Sequence, residues 1–344
     1  MTSTDNMTRR DYRHARAQRL RRQMERLGIG AVLLRQPANF AWYTGGADNR
    51  VNHAQSVGVA SVLVTPTEEY VITTNIEARR MREEQTPDIE VVEHPWFVDM
   101  ETTIRDVIGG TALGVDAPTE GARDVGGEIA PVRYLLDAEA IERYRQVGRD
   151  AALAMAKAVE ALEPGMTEYQ GAALLESACR RHKLFCPVAL VAADERIASY
   201  RHPIPQGATI KSRVMVVCCA ERGGLYANLT RIVSFEPLDA ETQRRQELCD
   251  VILRRMRHEA TVPGRTLADA FADCQRFYAE AGFPQEWRLH HQGGLSGYAS
   301  REVVATPSTH LVIEPGQAFA WNPSITGAKA EETFILTEAG PEVI

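Results

Sequence analysis

The sequence predicts an α/β protein of two domains, the first over residues 1–135 and the second over 136–344. Three observations carry that expectation. The chain has 344 residues, enough for two domains of ordinary size. Its first part alternates helical patterns with short β-branched runs. From Ala138 onward the order is two helices, strands, two helices, strands. That order reads as a duplicated ααββ unit around a curved antiparallel sheet.

Each element has a local reason. Arg9 to Leu27 places Tyr12, Ala15, Leu20, Met24 and Leu27 at near-helical spacing, with seven arginines between them (Arg9, Arg10, Arg13, Arg16, Arg19, Arg21, Arg22). The arginines read as the solvated face of a first helix rather than a nucleic-acid patch. Ala31 to Leu34 is a short buried strand. Gly58 to Thr65 and Tyr70 to Thr74 flank the turn Pro66-Thr67-Glu68 and read as a hairpin. Asn75 is expected to cap a helix running through Arg79 and Met81. Ile89 to Glu93 and Leu113 to Asp116 read as further strands.

Pro131 to Asp137 carries the expected boundary. Asp137 reads as the cap of a long Ala-, Glu- and Arg-rich helix from Ala138 to Leu162, and Thr167 as the cap of the next, to about Lys183. Strands are expected at Cys186 to Ala192, Val214 to Cys219 and Leu225 to Phe235. Helices then follow near Ala240 to His258 and Leu267 to Ala281, with strands at Gln317 to Trp321 and Glu331 to Leu336.

Composition excludes several classes. A net charge of -7 gives no long-range pull toward nucleic acid or an anionic membrane. No apolar stretch approaches the roughly 18 residues that span a bilayer. Met1 to Met7 is polar and lacks the apolar core of a signal peptide, so a cytoplasmic location is expected. Six scattered cysteines (Cys179, Cys186, Cys218, Cys219, Cys249, Cys274) read as small buried hydrophobes rather than a disulfide framework.

Four segments carry the chemistry: Tyr226-Ala227-Asn228-Leu229-Thr230-Arg231, His290-His291-Gln292-Gly293-Gly294, Trp321-Asn322-Pro323 and Lys329-Ala330-Glu331-Glu332-Thr333. In this order they resemble the creatinase/aminopeptidase P family. The resemblance implies a creatinase-like N-terminal domain and a C-terminal pita-bread domain. It is strong over Ala138 to Leu336 and weak before it. Metal-using members supply two Asp, one His and two Glu; the matching positions here are Val217, Asn228, His291, Asn322 and Glu331.

Two divalent cations about 3.5–4 Å apart need several anionic ligands to sit together. One carboxylate, Glu331, and one imidazole, His291, remain at those positions, so no metal cofactor is expected. A single zinc or manganese ion on Cys219, His291 and Glu331 stays open as an alternative, because Cys219 shares the strand parity of Val217.

Creatinase shows, through the resemblance, that the fold can work without metal. His202, within Tyr200-Arg201-His202-Pro203, matches the family's substrate-facing histidine and is the expected general base. His290 and His291 join it as imidazoles that titrate near neutrality. Glu331 is expected to orient one of them, and Tyr226 to donate to a developing oxyanion. Arg301, in Gly297-Tyr298-Ala299-Ser300-Arg301-Glu302, matches the arginine that grips a substrate carboxylate, where its planar fork bonds bidentately. Creatinase's two active-site glutamates match Thr230 and Asn322, so a guanidinium substrate loses its counter-charges. Asn228, Thr230 and Asn322 suit a neutral polar group instead.

The expected function is hydrolysis of a C–N bond in a small polar or short peptide-like substrate bearing a carboxylate. A non-catalytic binding module and a mononuclear Xaa-Pro peptidase are the alternatives. Family members bring the N-terminal domain of one subunit to the neighbour's active site. A homodimer is therefore expected; the segment Trp42 to Arg50, which follows the first buried strand and is rich in turn formers, reads as a loop, and Arg50, Asn49 and His53 are expected to reach substrate across the dimer.

Overall fold

The computed structural model describes residues 7–344. The polar N-terminal stretch read above lies, over 1–6, outside them. The chain divides into two compact units, Met1–Glu139 and Ala140–Ile344. No helix among the described residues is long and apolar enough to cross a membrane.

In the first unit, helix α1 (Arg9–Leu27) starts with a capping box between Thr8 and Asp11 and ends at Gly28 in the left-handed conformation. Strand β1 (Ala31–Leu34) lies at the centre of a mixed sheet, beside β2 (Ala60–Val64) on one side and β5 (Leu113–Val115) on the other. β3 (Glu69–Thr74), β4 (Glu90–His94) and β6 (Arg123–Asp124) complete the order β4-β3-β2-β1-β5-β6. The expected hairpin is present, with Val62 opposite Val71. Ala31, Leu33, Leu63, Ile72 and Val115 form a buried cluster with Ile104 from α4 (Met100–Ile108).

Three expectations fail here. Arg13 and Arg16 are buried on α1, not solvated, and share the inward face with Ala17, Leu20 and Met24. Arg13 binds Glu69 at 2.9 Å and also pairs with Asp88; Arg16 grips Asp137 through two bonds of 2.7 and 2.9 Å and also reaches Glu139. Asn75 caps no helix. Its Oδ1 accepts from the Trp96 amide at 2.8 Å, and the short helix α3 (Ala78–Arg80) begins after Glu77. The segment Trp42-Tyr43-Thr44, expected in a turn-rich loop, ends helix α2 (Pro37–Thr44), where Pro37 supplies the preset φ of a first helical residue. A short helix α5 (Gly126–Ile129) precedes the inter-unit segment.

The second unit is the expected duplication. Helices α6 (Ala138–Glu160) and α7 (Glu168–Arg181) precede an antiparallel sheet of β7 (Phe185–Ala193), β8 (Arg213–Arg222) and β9 (Leu225–Ser234). Between β7 and β8 lies the short helix α8 (Glu195–Ser199). α9 (Ala240–Arg255) and α10 (Leu267–Glu280) then precede a second antiparallel sheet. Its order is β11 (Val303–Val304), β10 (Gly293–Ser296), β12 (Ala318–Trp321), β15 (Glu332–Thr337) and β16 (Gly340–Val343), with the small ribbon β13 (Ser324–Ile325) and β14 (Ala328–Lys329). α7 and α10 start alike, with capping boxes at Thr167 and Thr266.

The two halves join where β9 meets β15. The Thr230 amide reaches the Glu331 carbonyl at 3.4 Å, and the Asn228 amide donates to Thr333 Oγ1 at 2.8 Å. This seam brings motifs a hundred residues apart to one place.

Candidate active site

Strand register sets the floor of the site. Val217 faces Thr230 and Cys219 faces Asn228 across β8 and β9, while Leu190 and Val188 lie opposite them on β7. Alternation puts these residues on one face. A cavity of about 140 Å³ opens there, lined by Val188, Leu190, Val217 and Cys219, and by His202, His291, Ser300, Arg301, Asn322, Lys329 and Glu331.

The histidines arrive from two anchored segments. His290 and His291 precede β10, whose Gly293 and Gly294 have positive φ. A Cβ at either would meet backbone at 2.1 and 2.2 Å, so only glycine lets β10 lie this close to β12 and β11. Gln292 fixes the turn by donating to the His290 carbonyl at 2.6 Å and accepting from Tyr278 Oη at 2.8 Å. His202 sits on the loop after α8. Arg201 ties that loop to Glu286 at 2.7 Å, and Glu168 accepts from the Gln206 amide at 2.7 Å. Asp194 accepts from the amides of Lys211, Ser212 and Arg213.

The three imidazoles converge. His290 Nε2 lies 2.9 Å from His202 Nε2, and the His291 ring stacks on His290 at 4.4 Å. Asn322 Nδ2 stands 3.3 Å from His290 Nδ1, while Asn322 Oδ1 is buried without a partner. Burial, then the charge of Lys329, holds His290 down at about 2; burial, then Arg301, holds His291 at about 4. His202 is lowered as well, again first by burial and then by Lys329. All three are neutral imidazoles at pH 7.

Glu331 is the second focus. Its carboxylate takes Arg301 Nη2 at 3.0 Å, Lys329 Nζ at 3.3 Å and Thr230 Oγ1 at 2.7 Å. Burial alone would raise this carboxyl; Lys329 and Arg301 overcome it and hold it at about 2. Two cations on one anion leave the cavity with a net positive charge.

The structure brings His202, His291, Arg301, Asn322 and Glu331 together around one cavity, with His290 and Thr230 bonded directly behind them. Asn228 is buried beneath, its Nδ2 3.3 Å from Ser296 Oγ and 3.3 Å from the Ser300 carbonyl, its Oδ1 unpartnered. Tyr226 does not line the cavity. Arg301 is not a free fork: Nη1 donates to the Ser300 carbonyl at 2.6 Å and Nη2 to Glu331, leaving Nε buried and unpartnered. In the first unit, Arg50 binds Asp48 bidentately at 2.8 and 3.1 Å, and Asn49 is buried, bonded to the Arg35 and Ala60 carbonyls. Lys329 was not singled out from sequence. Its spacing of two from Glu331 was the available signal, since extended chain puts such residues on one side.

The model of metallopeptidase family M24 matches residues 142–338, and that of the creatinase/prolidase N-terminal domain residues 16–147. The chain belongs to metallopeptidase family M24. Its two units are accordingly the creatinase N-terminal domain and the M24 pita-bread domain. Among solved structures, this M24 chain is similar to a prolidase from Pyrococcus furiosus, 18% identical with a TM-score of 0.78 over 94% of this chain and 98% of that one. An Xaa-Pro dipeptidase from Bacillus anthracis is 19% identical, TM-score 0.79, covering 96% and 97%. The N-terminal domain of the FACT complex subunit SPT16 from Cicer arietinum is 12% identical, TM-score 0.72, covering 96% of each chain. At such identities the likeness is one of fold. No curated protein matches the chain.

Proposed function

We propose that this M24 chain is a hydrolase that cleaves a C–N bond, of amide or amidine type, in a small polar carboxylate-bearing substrate. Histidine acid–base chemistry does the work, without the family's pair of metal ions. One observation carries the reading: Lys329 and Arg301 already bind Glu331. The residues present do not fit a dinuclear centre. Val217 has no ligand atom, Asn228 and Asn322 carry no charge, and the one carboxylate is shared by two protein cations.

A single ion on Cys219, His291 and Glu331 fits poorly too. Burial pushes the Cys219 thiol up to about 12, Glu331 adding to it. That set is also absent, among the described residues, from the groups whose ligand atoms come within 4.8 Å of one another.

The Asn322–His290–His202 row supplies a base. With the Asn322 amide turned over, its Oδ1 accepts the proton of His290 Nδ1. His290 Nε2 then accepts from His202 Nε2, leaving His202 Nδ1 as a free lone pair toward the cavity. A water giving its proton to that nitrogen attacks the substrate carbon, and the same proton passes to the leaving nitrogen. The net positive cavity favours an anionic substrate and a developing oxyanion. His291 is the neutral donor nearest to hand.

The test is turnover by chelator-treated protein on a panel of N-acyl and amidino carboxylates and Xaa-Pro dipeptides. Turnover that survives chelation and is abolished by His202→Ala supports the reading. The three imidazoles also have a spacing one metal ion would accept. Loss of turnover on chelation, with recovery on added zinc or manganese, would replace the relay by a metal centre. A second reading, a non-catalytic binding module, draws on the fold's occurrence in a FACT complex subunit. Ligand binding unchanged by His202→Ala and Arg301→Ala, without turnover of any panel member, would favour it.

A further inference from the structure

We propose that Cys179, Cys186 and Cys218 form a binding site for one thiophilic d10 metal ion, zinc or copper(I), on the face of β8 opposite the histidine cavity.

The three thiols come from three elements: Cys179 from the buried face of α7, Cys186 from β7 and Cys218 from β8. Cys186 Sγ lies 3.5 Å from Cys218 Sγ, and Cys179 Sγ 3.9 Å from it; all three sulfurs fall within 4.8 Å of one another. A zinc–sulfur bond of about 2.3 Å puts tetrahedral ligands about 3.8 Å apart. The sulfurs already stand near the edges of that polyhedron.

Register shows that Cys186 is aimed there. Val188 and Leu190 face the histidine cavity with Val217 and Cys219. Regular alternation would turn Cys186 to the same side. The register of β7 against β8 shifts between Phe185 and Val188, with Phe185 opposite Glu221. The extra residue sends Cys186 to the other face, onto Cys218. Bulges re-aim side chains in this way.

The site has an entrance. Cys186 is half-buried and lines a separate cavity of about 500 Å³ with Glu176, Arg180 and Phe185. A water or small ligand reaching through it would complete the coordination. Arg180, over the Phe185 ring at 5.1 Å, lines the same cavity as Cys186. Soft thiolates select zinc and copper(I) over hard cations.

The experiment is cadmium titration of the reduced full-length chain, followed by the ultraviolet sulfur-to-cadmium charge-transfer band, with zinc and copper(I) in competition. The band should saturate at one equivalent. Cys186→Ser, at the half-buried position, should weaken binding by about 100-fold, leaving turnover and the unfolding midpoint unchanged. His202→Ala should leave the band as it is. In the unsubstituted chain, zinc should slow alkylation of Cys186 read by mass spectrometry, which needs no variant to fold. No band in excess cadmium, an affinity unchanged in Cys186→Ser, a band lost in His202→Ala, or a disulfide within the trio in place of bound metal would each overturn the assignment.

Discussion

Two buried carboxylates of the second unit make opposite statements. Glu168, at the start of α7, accepts from the Ala193 amide at 2.8 Å, the Gln206 amide at 2.7 Å and Arg196 Nε at 2.7 Å. None of these partners leaves a buried side-chain atom unmet. Glu331 is equally buried and holds two cations. Its surroundings nevertheless contain three unmet buried positions: Arg301 Nε, Asn228 Oδ1 and the end of the Asn322 amide that faces away from His290. Buried polar atoms are nearly always paired, so a cluster of orphans around one charge is the mark of a place built for something else to bind. Glu168 holds the loop of His202; Glu331 holds the floor of the cavity that His202 faces.

The contrast breaks most sharply at His202. Replacing it with Ala should lower kcat/KM by about 10²–10⁴-fold, the usual worth of a positioned base. The imidazole lines an open cavity and is only partly covered, so stability should move by less than about 0.5 kcal/mol. A large stability loss with unchanged turnover would make His202 a structural residue. Glu168→Ala should do the reverse. It strands Arg196 and two amides, costs about 3–5 kcal/mol of stability in urea titrations, and loses activity only as the loop loosens. Lys329→Met should cost less, under about 2 kcal/mol, because Arg301 still pairs with Glu331. Its mark should be weaker binding of anionic ligands.

This division was partly legible in the sequence. The order of the four motifs placed His291, Asn322 and Glu331 in one pocket, and the segment Gly297 to Glu302 added Arg301, because each is tied to a strand end that the duplicated topology brings to the seam. Local capping signals gave Thr167 its helix. The sequence hid whatever depended on partners far along the chain. Arg13 and Arg16 look solvated until Glu69, Asp88, Asp137 and Glu139 arrive beside them, 56 or more residues away. Arg301 looked like a free fork because its pairing with Glu331 spans 30 positions. Helix α2 was masked by Gly45 and Gly46, which form its stop rather than a loop of their own. The inward turn of Cys186 depends on a register shift that no alternation pattern contains.

Thr230→Val sharpens the comparison on a finer scale. It removes one charge-assisted bond to Glu331, of 2.7 Å, and should cost about 1.5–3 kcal/mol, read as a shift in urea midpoint. The histidines should give the smallest effect, visible through pH. Burial holds His290 at about 2, whereas the unfolded chain titrates it near 6.5. Between those values the unfolded state binds a proton that the folded state refuses. Stability contributed by the neutral ring is therefore full above about pH 6.5 and is lost as pH falls, at no more than about 1.4 kcal/mol per unit. His290→Asn removes that proton. It should shrink the stability difference between pH 7 and pH 5 by about 1–2 kcal/mol. An unchanged difference would mean that His290 accepts a proton in the fold, and an imidazolium there could not take the hydrogen bond that aims His202 at its substrate.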